Sequence, residues 1–385
     1  MVSTSVWRAP GMPLLLTMTV LGFSGYAALL AVAPLWAMRG GADAVGAGLV
    51  NGVLMLFTVL TQLFVPRALR RFGWAPVLVA GMLLLGLPAL AHGFSDALGP
   101  TLALSAVRGL GFGVLTVTGS ALVAELVEPL RRGKAIGAYG LAIAGPQVLF
   151  LSAGPWIAEQ LGFWVVFAVA ALPTVAAVPA IGLARMLDHV PEEEDARAPY
   201  LSLLPPMALL IGVTLAGGAL ITFMAQMSSD AVLTALALLL LSVAAALARW
   251  RIGAWSDRHG PRRFIPPLVL LTTAGMMVIA WAVRDPRATE APALMVGAAM
   301  VGISYGGLQN LTLVVTFQTV SRQHYGPASA VWNIGFDAGT GIGAVVVGMV
   351  AAGTSFSTAL LVAGAISLLT LPLALGRHIT GARVN

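Results

Sequence analysis

The sequence predicts an all-α membrane protein: twelve transmembrane helices in two six-helix, pseudo-symmetric bundles. Three observations predict it. Of 385 residues, 58% are apolar and only 9% charged, with a mean hydropathy of +0.92, whereas soluble domains carry roughly a quarter charged residues. The apolar residues fall into stretches long enough for a bilayer core, which takes about 20 residues per helix. A glycine-containing basic loop also occurs twice, about half a chain length apart. No water-soluble fold could hide this much hydrocarbon, so the composition excludes a cytosolic enzyme, a nucleic-acid binder and a disordered chain.

The first bundle, residues 1–184, contains apolar stretches at 12–37, 45–66, 76–94, 99–124, 134–158 and 161–184. The second, residues 201–385, contains stretches at 201–227, 231–248, 264–283, 292–317, 327–352 and 355–376. Charge and turn residues collect in the breaks, as in Arg39-Gly-Gly-Ala-Asp43, His92-Gly-Phe-Ser-Asp96 and Arg284-Asp-Pro-Arg287. Strand-like alternation does not recur, which argues against a β-barrel. The first stretch is too long for a cleaved signal and lacks an Ala-x-Ala exit. The 44 Gly and 23 Pro fit membrane helices, where both are commoner than in soluble ones.

Basic residues set the orientation. With a cytoplasmic N-terminus, 17 of the 21 Lys and Arg fall on the cytoplasmic side, among them Arg249, Arg251 and the clusters Arg67–Arg71, Arg131–Lys134 and Arg258–Arg263. Arg39, Arg284 and Arg287 fall outside, and Arg108 lies within a span. Excess Lys and Arg mark cytoplasmic loops, so both termini are expected to be cytoplasmic, in a bacterial-type inner membrane. The sequence pI near 10.5 then reflects topology rather than nucleic acid, with attraction to anionic lipid as a secondary effect. The acidic run Glu192–Asp195 lies in the segment 185–200, which reads as a cytoplasmic linker between the bundles; a regulatory patch is the other reading.

The repeated loop is Pro66-Arg-Ala-Leu-Arg70-Arg71-Phe-Gly73 after the second span and Gly253-Ala-Trp-Ser-Asp257-Arg258-His-Gly260-Pro-Arg262-Arg263 after the eighth. Gly73 and Gly260 lie 187 residues apart, the half-length duplication of parallel-repeat transporters. The pattern Gly253-x-x-Ser-Asp257-Arg258-x-Gly260-x-Arg262 resembles the loop signature of the major facilitator superfamily. Leu104-x-x-x-Arg108-Gly-Leu-Gly111-Phe-Gly113 resembles the family's fourth-helix motif. Gly145-Pro146 resembles its antiporter motif in part, Leu149-Phe150 replacing the family's Gly-Gly. The run Asn333-Ile-Gly-Phe-Asp337-Ala-Gly-Thr-Gly341 resembles small-molecule and drug exporters of the superfamily. The resemblance implies that the loop aspartate caps a helix of the opposite half and closes the cytoplasmic side. Arg70 occupies that position in the first half, so Asp257 alone could serve, facing the basic start of the fifth span at Arg131, Arg132 and Lys134. A carboxylate at a helix N-terminus gains about 0.3–1 kcal/mol from the macrodipole.

Ionisable groups are costly inside a bilayer, about 2.5–3.5 kcal/mol on insertion scales. Two lie clearly within the predicted spans, Arg108 and Asp337. Asp337 sits ten residues past Pro327, about 15 Å into the bilayer at 1.5 Å per residue. It reads either as a proton-coupling carboxylate or as a group that fixes helix packing. Arg108 reads either as a partner in proton or anion movement or as a tie to neighbouring carbonyls.

Other polar residues mark the spans that line the cavity in the superfamily: Ser24 and Tyr26 in the first, Thr222 and Gln226 in the seventh, and Tyr305, Gln309, Asn310 and Thr312 in the tenth. Tyr305, Gln309 and Thr312 share one helical face, and Asn333 lies one turn before Asp337. Tyr26, Gln226, Tyr305, Gln309, Asn310 and Asn333 form the expected substrate-binding set, though interhelical bonding is a competing use for each. Asp337 and Arg108 form the expected proton-coupling set. Gly253, Asp257, Arg258, Gly260, Arg131 and Arg132 form the expected cytoplasmic gate. No Walker loop, metal-spaced ligand cluster or nucleophile–base pair occurs, and the chain has no Cys. The expected function is therefore a secondary transporter and not an enzyme, without cofactor or metal, acting as a monomer on a small molecule with protons and membrane lipids as its other partners. A proton-driven exporter of a small, partly apolar organic compound is the first reading. A facilitator or importer of a small organic solute without proton exchange is the second.

Overall fold

The computed structural model describes residues 9–127, 132–187, 200–285, 287–321 and 324–376. Fourteen α-helices account for nearly all of them, and no strand occurs among the described residues. They are α1 (Met12–Arg39), α2 (Ala44–Phe72), α3 (Trp74–Ala91), α4 (Leu98–Leu126), α5 (Arg132–Gln160), α6 (Phe163–Ala170), α7 (Leu172–Ala184), α8 (Tyr200–Met227), α9 (Ala231–His259), α10 (Ile265–Ala282), α11 (Ala291–Thr319), α12 (Tyr325–Gly353), α13 (Phe356–Leu368) and α14 (Leu371–Leu375). They make 12 spans long and apolar enough to cross a membrane, α6 with α7 and α13 with α14 counting as one each. Both joints have a proline just inside the second helix, Pro173 and Pro372. Proline has no N–H to extend the preceding ladder, so the helix breaks there and restarts.

The two repeated loops turn alike. Gly73 has φ 76° and Gly260 φ 79°, each with ψ in the extended range. Side chains other than glycine's are strained in that region. Each glycine follows a helix end and donates its N–H to a carbonyl four residues back, Gly73 to Leu69 and Gly260 to Ser256, both at 2.8 Å.

The chain forms two compact units, Met1–Trp36 with Val53–Glu193, and Ala37–Gly52 with Glu194–Asn385. In the first, α3 packs between α4 and α7. Gly111 lies against the backbone of α3 at Gly81 and Leu85, and Gly86 against Thr174 of α7. Trp36, Phe163, Trp164 and Phe167 build an aromatic cluster around His92. That histidine is fully buried, its Nδ1 3.0 Å from the Pro88 carbonyl oxygen, although the sequence places it in a loop.

In the second unit, helices meet backbone to backbone. Gly302 and Gly306 of α11 lie on the backbone of α9 at Leu241 and Ala245, and Gly339 and Gly343 of α12 lie on α8 at Ile211 and Leu215. Small residues permit such approach where lipid supplies no hydrophobic drive between helices. The first turns of α2 join this unit: Gly48 meets the backbone of Ala344, Gly348 that of Ala44, and Asn51 donates to Thr222 Oγ1 at 2.9 Å. Asp230 caps α9 by accepting from the Val232 and Leu233 N–H groups at 2.9 and 3.0 Å. A side-chain acceptor of this kind satisfies amides that the helix itself leaves unpaired.

Candidate substrate and coupling site

The richest polar cluster lies in the second unit, where α9, α11 and α12 come together. Close approach of α9 and α11 at Gly306 brings Arg249, one turn beyond Ala245, alongside Tyr305. The Tyr305 ring lies against Gly217 of α8, where a side chain would displace it, and 6.2 Å from the ring of Phe336 on α12. Asp337 follows Phe336, is buried, and interacts electrostatically with Tyr305, as Arg249 does from α9. Gln309 stands one turn along α11 from Tyr305. Its side chain is 1% exposed and lies beside the Tyr305 hydroxyl.

Trp332 donates its indole N–H to Thr312 Oγ1 at 3.1 Å and stacks on Phe336 at 5.8 Å. The Thr312 hydroxyl donates back to the Leu308 carbonyl at 2.7 Å. Asn333 donates to the Ser329 carbonyl at 3.0 Å. The Asn310 amide lies beside Gly253, its Oδ1 buried and unpartnered. Gln226 donates to the Thr222 carbonyl at 3.4 Å, leaving its Oε1 buried without a partner.

The remaining predicted groups sit in the first unit. Arg108 is 1% exposed and donates from Nη2 to the Gly25 carbonyl at 2.9 Å and from Nε to the Leu85 carbonyl at 3.4 Å. It thereby ties α4 to α1 and α3. Tyr26 is buried within electrostatic reach of Arg108 and lies flat on Phe112, ring centroids 3.7 Å apart. The Ser24 hydroxyl donates to the Val20 carbonyl at 2.7 Å.

Of the expected gate residues, Arg258 is exposed near the end of α9 and Gly260 forms the turn after it. Asp257 lies in the last turn of α9 and Arg132 opens α5; their side chains, and Arg131 as a whole, lie outside the described residues. Arg262, from the same loop motif, donates to the Gly376 carbonyl at 3.0 Å. That carbonyl closes α14, and a cation is favoured at a helix C-terminus.

Sequence reasoning missed Arg249. The eighth stretch is predicted to end at residue 248, but α9 continues to His259 and the apolar span to Gly253. Arg249 thus lies within the eighth span, as does Arg251 two residues on, rather than in the loop that follows it.

The sequence profile of the Major Facilitator Superfamily matches residues 14–224 and 206–380, and the chain belongs to that family. Over 103 residues it is 33% identical to a protein named as a probable 4-methylmuconolactone transporter of Cupriavidus pinatubonensis, covering 25% of this chain and 24% of that protein. Over 147 residues it is 25% identical to an uncharacterised MFS-type transporter of Mycobacterium tuberculosis, covering 38% of this chain and 25% of that protein. The matched stretch thus spans about a quarter of each relative's length. Among solved structures, a bacterial homologue of the human lysosomal transporter Spinster matches with a TM-score of 0.74 at 12% identity, over 97% of both chains. A D-xylose–proton symporter matches with 0.73 at 13% identity, over 96% of this chain and 97% of that one. The nucleoside transporter NupG matches with 0.70 at 11% identity, over 95% and 99%. These likenesses show a shared fold. The chain is therefore a multi-pass membrane protein of the Major Facilitator Superfamily, and the relatives it matches are named as transporters, not enzymes.

Proposed function

We propose that the protein is a proton-coupled exporter of a small, partly apolar organic compound, working by alternating access in a bacterial-type inner membrane with both termini cytoplasmic. The observation that carries this reading is the placing of Asp337: a buried carboxyl on α12 within electrostatic reach of Tyr305 on α11. A carboxyl at that depth is costly unless it has a task, and proton exchange is one that a secondary transporter needs. The named relative, a probable 4-methylmuconolactone transporter, supports a compact organic substrate. In this proposal Asp337 carries the proton, Arg108 steadies the first unit and Tyr305, Gln309, Asn310 and Gln226 supply substrate hydrogen bonds. Tyr26 and Asn333 complete the substrate set. Asp257 closes the cytoplasmic side against Arg131 and Arg132. The monomer is the working unit, with residues 1–184 and 201–385 as its two bundles and 185–200 as the linker.

The test is reconstitution in liposomes loaded with a pH-sensitive dye. Compounds that move protons against an imposed substrate gradient identify coupling, and Asp337→Asn should abolish the proton signal while the variant still folds and binds. If Asp337→Asn still concentrates a compound under a pH gradient, proton coupling at this residue is wrong. Saturable flux that is indifferent to pH in the wild type would favour the facilitator.

A further inference from the structure

We infer that the Arg249–Tyr305–Gln309 cluster recognises an organic anion, a carboxylate borne on an apolar or aromatic body, and that Arg249 is its principal binding group. The inference rests on the transporter reading above and names its substrate class. Three groups able to donate hydrogen bonds converge from two helices. Arg249 on α9 is exposed yet interacts with Tyr305. The Tyr305 hydroxyl is a donor, and the Gln309 amide beside it is 1% exposed. An arginine fork matches a carboxylate with two parallel bonds, and the hydroxyl and amide N–H groups are further donors that a carboxylate can accept from. Phe336, 6.2 Å from Tyr305, and Trp332, stacked on Phe336 at 5.8 Å, supply an aromatic wall for the remainder of the ligand. Any ligand here meets both Arg249 and Asp337, which interact with the same tyrosine; the fixed charge of Arg249 favours an anion, and Asp337 opposes one only while it is ionised, not when it carries the proton.

Arg251, two residues on, gives the internal control. Its guanidinium lies over the neighbouring Trp250 ring at 5.1 Å, and Trp250 is 68% exposed. Topological charge and site charge therefore stand side by side on one turn of α9.

The experiment uses the full chain in liposomes and, for binding, in detergent by thermal shift. The probes are two matched sets: benzoate, benzamide and benzylamine, and 4-phenylbutyrate with its amide and amine. At least one carboxylate should bind or be transported about tenfold better than its amide and its amine, the value of one charge-assisted bond. Arg249→Gln should erase that preference, Arg249→Lys should restore part of it, and Arg251→Gln should leave it intact. Size-exclusion profiles establish that each variant is folded, and the lysine variant keeps the test open if the glutamine variant is not. The inference is overturned if an amine or amide is handled as well as its acid, if no carboxylate is handled at all, or if the preference survives Arg249→Gln. Saturable flux of a neutral or cationic probe would overturn the anion and leave the transporter standing, whereas no flux of any probe or other solute would count against the transporter itself.

Discussion

In the first unit the guanidinium of Arg108 donates to the Gly25 and Leu85 carbonyls and is shut away from solvent. In the second, Arg249 stays exposed, makes electrostatic contact with Tyr305, and is not tied to backbone carbonyls by any hydrogen bond among the described residues. The same side chain is consumed by the fold in one place and left available in the other. Availability, rather than the presence of a charge within a span, separates a candidate binding group from a structural one. The tyrosines repeat the contrast. Tyr26 lies flat on Phe112 at 3.7 Å, while Tyr305 meets Phe336 at a tilt of 55°.

Removing each arginine breaks or sharpens that comparison most directly. Arg108→Met leaves two tied carbonyls without their charged donor and should cost about 2–4 kcal/mol of stability. Arg249→Met should change stability by less than about 0.5 kcal/mol, as exposed substitutions do. Equal losses in melting temperature, followed by fluorescence-detected size exclusion, would erase the distinction.

The next effect concerns the seam that sets Arg249 beside Tyr305. Gly306→Ala pushes a methyl into the Ala245 backbone and should cost about 1–3 kcal/mol by overpacking. Gly140→Ala on α5 meets nothing within 4 Å and should be neutral or stabilising by up to about 1 kcal/mol. Thermal unfolding of the pair checks both signs.

Ligand affinity separates the tyrosines. Tyr305→Phe and Gln309→Ala should each weaken binding of a transported compound by about 1–3 kcal/mol where a hydrogen bond is lost. Alanine at Gln226 tests the seventh-span contact in the same way. Tyr26→Phe retains the stack on Phe112 and should shift the melting temperature little; a larger affinity loss there than at Tyr305 would move the site into the first unit.

The smallest effect is expected at the loop motif. Asp257→Asn should shift the conformational population several-fold towards the inward-open form, at about 1.4 kcal/mol per tenfold, while Arg70→Ala shifts it little. Spin-label distances between the end of α9 and the start of α5 read the change, and equal shifts from both variants would remove the asymmetry.

The spans were legible because bilayer thickness turns directly into apolar length, and the duplicated loops because glycine alone tolerates the turn at positions 73 and 260. Tyr305 and Gln309 were legible as one helical face, since i and i+4 spacing needs no tertiary knowledge. Arg249 was not: next to Trp250 and Arg251 it looks like the basic flank of a span, and only the crossing of α9 with α11 distinguishes it. His92 followed the same logic in reverse. A histidine beside glycine reads as a turn, but the Phe167 ring beside it, itself packed on Trp36, comes from a distant segment. The acceptors of Arg108 were hidden for that reason too, lying 83 and 23 residues away in sequence.

The glycine contacts of α11 with α9 carry a mechanical consequence. With backbone on backbone at Gly302 and Gly306, there is no layer of side chains to shear, so the two helices behave as a single stiff plank. Arg249 and Tyr305 branch from the two sides of the joint, so their backbones are carried together in any motion of that unit. A transporter built this way would discriminate ligands by the geometry of their charged end more sharply than by the bulk of their apolar end, which meets side chains that can repack.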